Sequence, residues 1–120
     1  MSATTSPSTL DVGALRRADD AIAALDAVLA DDVEWVEIDQ RTPPRAPAVV
    51  HGRDNVIAGI RAAHERGIVS RVTDGFATAD RAAFTVTCTY PTGEQVACNA
   101  LADVSGGKIT RWVAVQAWDA

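Results

Sequence analysis

The chain has 120 residues, 48% of them hydrophobic and 22% charged, which is one domain's worth of ordinary globular composition. Its formal net charge of −5 excludes the basic face that a nucleic-acid partner requires. No apolar run approaches the roughly 20 residues that span a bilayer, and the opening MSATTSPSTL lacks both the basic and the apolar regions of a signal peptide. A cytoplasmic location without membrane contact is expected, with residues 1–8 a disordered tail and 9–120 the folded domain.

Leu10, Leu15 and Ala18, with charges between them, predict a first helix over 9–20 that Gly13 weakens. Asp19 or Asp20 caps a second helix, Ala21 to Ala30, whose apolar stripe is Ile22, Leu25, Val28 and Leu29. Val33 to Ile38 has strand composition. The three prolines between Arg41 and Pro47 forbid regular structure there. After the short extended piece Val49 to Gly52, a third helix opens at Arg53 or Asp54, runs to about Arg66 and is stopped by Gly67. The texture then changes to period two, predicting strands at 68–77, 82–90, 95–104 and 108–118. Helices first and an antiparallel meander last is an α+β arrangement.

The alternation sorts residues onto faces. Phe84, Val86, Cys88 and Tyr90 share an apolar face, with Thr85, Thr87 and Thr89 opposite. A four-residue turn, Pro91 to Glu94, would pair Tyr90 with Gln95 and place Ala97, Asn99 and Leu101 on the apolar side. In that register Cys88 and Cys98 point to opposite faces, so two reduced thiols are expected rather than a disulfide. No metal is expected, because the ligands are too few.

In order of elements, LADDVEWVEID, a Pro-containing loop, HGRDNVIAGI and GGKITRWVAVQAWD resemble the SnoaL-like proteins of the nuclear transport factor two-like superfamily. Ketosteroid isomerases, polyketide cyclases and limonene-type epoxide hydrolases are relatives within it. The resemblance runs from about Leu10 to Asp119. It implies three helices packed in the concave face of a strongly bent, mainly antiparallel sheet, a cone-like or cystatin-like arrangement with a small-molecule pocket. It also implies homodimers formed through the sheet and no cofactor. Matched to the isomerases, Glu37 falls where they carry their catalytic base, and Asn99 is the polar group nearest their second acid. Two departures stand out. The isomerases' first-helix tyrosine would fall near Val12 or Gly13, where none exists, and Ala114 stands where the cyclases and hydrolases carry an acid.

These residues support two readings. In one, Glu37 and Asn99 are catalytic: desolvation inside an apolar cone raises the Glu37 carboxyl toward neutrality, and the amide stabilises an enolate. Trp35, Trp112 and Trp118 would give an aromatic wall, with Gln116 and His64 as polar contacts to an aromatic, polyketide- or steroid-like ligand. The enzyme would then be a cofactor-independent isomerase, cyclase or lyase. In the other, the chain is a non-catalytic dimeric binding or accessory module of the same fold, with Glu37 structural and one Trp at the interface.

Overall fold

Two aspartates begin the fold by capping its first helices. Asp11 accepts a hydrogen bond from the Ala14 amide at 3.0 Å and opens helix α1 (Val12–Arg17); Asp20 does the same for Ala23, also at 3.0 Å, and opens α2 (Ala21–Val28). The first helix is shorter than its sequence suggests, because Asp11 takes the cap and Ala18 turns extended. The computed structural model describes residues 10–118, so the predicted tail at 1–8 lies outside the described residues. Helix α3 (Arg53–Glu65) ends where the Gly67 amide donates to His64 and the Ile68 amide to Ala63, which satisfies its last carbonyls.

Six strands follow the sequence pattern closely: β1 (Leu29–Ile38), β2 (Ala48–His51), β3 (Val69–Ala77), β4 (Arg81–Thr89), β5 (Gln95–Ser105) and β6 (Lys108–Trp118). They form one mixed, unclosed sheet in the order β2-β1-β6-β5-β4-β3. Strands β1 and β6 run parallel, and every other neighbouring pair is antiparallel. The three helices lie against this sheet, giving the α+β class expected. No helix among the described residues is long and apolar enough to cross a membrane.

The core is built around aromatic rings. Parallel pairing sets Trp35 opposite Trp112, and their rings stack at 4.4 Å with 2° between planes. Phe84 lies 5.1 Å from Trp112. Along the same row, Trp112 is followed by Ala102 and then Ala82, all three buried. Leu10, Val12 and Leu15 join the rings and these small residues in one buried core. Helix α1 sits directly on β3 at Gly75: a Cβ there would lie 2.6 Å from the Ala83 carbonyl oxygen and 3.0 Å from Val12.

One expectation is overturned. The hairpin between β4 and β5 closes with a three-residue loop, Pro91-Thr92-Gly93, not a four-residue one. The Tyr90 amide donates to Glu94 and the Gly93 amide to Tyr90, each at 2.9 Å, with Gly93 in the left-handed region at φ +90°. The pairing is therefore Cys88 with Val96, Val86 with Cys98 and Thr85 with Asn99. Moving register by one residue exchanges the faces of β5. Val96, Cys98, Ala100, Ala102 and Val104 point inward and are buried, whereas Asn99 and Leu101 are exposed on the outer face.

Candidate functional site

The inner face of the sheet has an apolar end and a polar end. Trp35, Trp112 and Phe84 occupy the first. Toward the second, successive rows read Gln116, Cys98, Val86, Val72 and then Trp118, Val96, Cys88, Ser70. Glu37, on β1, stands between the two ends opposite Ala114. Its carboxylate is half-buried and held on both oxygens. The Trp35 indole N–H donates to Oε1 at 2.9 Å, and the Gln116 amide donates to Oε2. A carboxylate so fixed in orientation still has lone pairs free to accept a proton.

The rim of this end is aromatic. Tyr90 and Trp118 lie 5.4 Å apart with 46° between their rings, and Trp118 remains 38% exposed. Burial is the main reason the Tyr90 phenol is pushed above its ordinary value, with the nearby Cys88 adding to it. Asp39 takes no part in this cluster. It accepts from the amides of Arg41 and Thr42 and from the Thr42 hydroxyl at 2.7–2.9 Å. The Thr42 amide is the main cause of its lowered pKa. Asp39 is thus the anchor of the proline-rich loop.

Of the residues singled out in the sequence, Glu37, Trp35 and Gln116 come together through hydrogen bonds. Trp112 joins them only by stacking on Trp35. The expected aromatic wall is corrected: Trp35 and Trp112 are 7% and 5% exposed and spend their ring faces on each other and on Phe84. Trp118 alone stands at the rim. Asn99 is corrected as well: it lies on the opposite face of the sheet, where the Thr85 hydroxyl donates to its oxygen at 2.9 Å. His64 is exposed near the end of α3 and makes no side-chain contact with the cluster. His51 is exposed on β2.

Ser70, Cys88 and Cys98 belong to the polar end, and none of them is a candidate site residue in the sequence. The Ser70 hydroxyl and the Cys88 sulfur are 3.2 Å apart. Both cysteines are free thiols, but on the same face rather than opposite ones. The signal that could have found them is Pro-Thr-Gly itself, since a glycine closing a type I turn favours the three-residue loop. Among the described residues, no group of three or more His, Cys, Asp or Glu side chains is placed to hold a metal ion.

No curated protein matches this chain. Among solved structures, a proposed ketosteroid isomerase from Kribbella flavida DSM 17836 superposes with a TM-score of 0.61 at 22% identity, over 90% of this chain and 71% of that one. An NTF2-like protein from Mesorhizobium loti gives 0.64 at 21% identity, over 81% and 78%. A protein with a ketosteroid isomerase-like fold from Catenulispora acidiphila DSM 44928, in complex with trimethylamine, gives 0.59 at 17% identity, over 84% and 78%. Likeness at these identities establishes the fold alone. The SnoaL-like domain family matches residues 12–112, most of the chain and every element from α1 into β6. The chain therefore belongs to the SnoaL-like family.

Proposed function

We propose that the polar end of the inner face binds a small, largely apolar molecule, aromatic, polyketide- or steroid-like, and that Glu37 serves there as a general base. The observation that carries this reading is the Glu37 carboxylate, fixed by Trp35 and Gln116 where the polar end of the face meets the apolar core. Removal of a proton α to a carbonyl is the step such a group performs, leading to isomerisation, cyclisation or dehydration. The half-exposed Tyr90–Trp118 pair supplies flat apolar surface at the rim. The non-catalytic reading is favoured by Ala114 and by the position of Asn99, which leaves no amide oxyanion donor beside Glu37 other than Gln116.

Trp118 makes the site self-reporting, since it lies at the rim while the other two tryptophans are buried. Steroids, phenols, aromatic polyketides, terpenoid epoxides and trimethylamine form the test panel. A saturable fluorescence change with a matching rise in Tm, lost in Trp118→Phe fluorescence but retained in Tm, is the expected result. No response from any class would remove the small-molecule site.

The same reading includes pairing of two copies through the outer face of the sheet. Phe76, Leu101 and Val115 are 69%, 57% and 54% exposed there, around a concavity of about 450 Å³ that Thr85 and Asn99 also line. The ion pairs Arg81–Asp103 and Arg111–Glu34 flank it. In a two-fold interface any charge introduced enters twice. Leu101→Glu is expected to convert a dimer to a monomer in sedimentation equilibrium, with the fold intact by circular dichroism. A wild-type chain that sediments as a monomer would overturn this pairing.

A further inference from the structure

The register that turns Asn99 outward turns Cys98 inward. Cys88 pairs with Val96 and Val86 with Cys98, so the two thiols are diagonal neighbours on one face of adjacent antiparallel strands. At that placement each thiol is within reach of the other, and their interaction is the main cause that draws their pKa values apart, Cys88 down and Cys98 up. The Ser70 hydroxyl is 3.2 Å from the Cys88 sulfur. Both neighbours favour the Cys88 thiolate and hold Cys88 below the ordinary thiol range, against the opposing effects of burial and of the Glu37 charge. The same interaction with Cys88, with burial, pushes Cys98 up, so it keeps its proton. Cys98 is 6% exposed, while Cys88 is only partly buried, so a reagent meets Cys88 first. The result is one nucleophilic thiol open to approach, with a protonated thiol at the diagonal position beside it.

We propose that Cys88 and Cys98 form a redox-active dithiol that reduces a small organic disulfide, with Cys88 attacking and Cys98 resolving. The Cys88 thiolate attacks one sulfur of the disulfide, forming a mixed disulfide and expelling the first half as a thiolate, which takes up a proton. Cys98 gives its proton to water, and its sulfur attacks the Cys88 sulfur, closing an intrachain bond and expelling the second half as a thiol. Two protein thiols are oxidised, one external disulfide is reduced to two thiols, and no other reactant is needed. Closure to an S–S bond of about 2.05 Å requires Cα atoms that lie about 7–8 Å apart at diagonal positions of a regular ladder to approach within about 7 Å, a movement the hairpin must accommodate by local twist. The pair adjoins the acid–base cluster, because Cys98 is in register with Gln116, the residue that holds Glu37. It does not depend on Glu37 being a base.

The test uses the reduced full chain, without oxygen, incubated with oxidised glutathione near neutral pH and read by intact mass after acid quench. Loss of two hydrogens and of both titratable thiols, with no link between chains, is expected. Cys98→Ala should instead accumulate one glutathione adduct on Cys88, and Cys88→Ala should react at least about tenfold more slowly than wild type. Retention of both thiols, a stable glutathione adduct on the wild-type chain, or cross-linking between chains would each overturn the proposal. The wild-type measurement decides by itself if either variant folds poorly.

Discussion

Truncating Trp112 to alanine is expected to remove about 3–5 kcal/mol of folding stability, the range for a large buried aromatic. Its ring lies between Trp35 and Phe84, so the loss removes two ring contacts at once and opens a void beside Ala102 and Ala82, which have no atoms to fill it. For a domain of this size the change corresponds to a fall in Tm on the order of 15 °C. Trp118→Ala is the internal control. It removes the same side chain from the same strand and face, but from a position 38% exposed with one tilted partner, so a cost of about 1 kcal/mol is expected. Equal losses of Tm in the two variants would contradict the division of this face into a packed end and an open end.

The second large effect concerns Glu37→Gln. In a compound turned over by the wild-type chain, the substitution should lower kcat by about 10²–10⁴-fold, the usual contribution of a general base. Stability should change by no more than about 1 kcal/mol. The new amide keeps one oxygen for the Trp35 N–H, and the Gln116 amide can rotate to offer its own oxygen to the new NH₂ group, so the Trp35 N–H and the new NH₂ each keep an acceptor while the Gln116 NH₂ turns away. Ligand binding, read by Tm shift, should survive. Turnover within a few-fold of wild type would exclude Glu37 as the base. Lost binding with lost Tm would instead mark it as a structural anchor for Trp35 and Gln116.

Most of the secondary structure was legible because its causes are local. Asp11 and Asp20 bond to amides three residues ahead, Gly67 closes α3, and the alternation in β4 and β6 needs no distant partner. Strand β1 was read too short at its start. Leu29 to Asp32 extend across a bulge against β6, a pairing some 80 residues away that no local pattern encodes.

The site divides along the same line. Alternation groups Gln116 and Trp118 with Trp112, and Glu37 with Trp35, but the sequence left open which face turns inward; the pairing of β1 with β6 decides that. Asn99, Cys88 and Cys98 depended on the length of one turn. Three residues rather than four between β4 and β5 decide which side of β5 faces inward. The sequence by itself determined the helices, the strands, the family and the carboxylate that heads the candidate site. Only the tertiary structure decided that Trp35 and Trp112 bury each other instead of facing a ligand, and that two cysteines ten positions apart share one face as diagonal neighbours. Both are consequences of strand register, which rests on hydrogen bonds between segments and on the fit of the whole inner face rather than on any run of neighbouring residues.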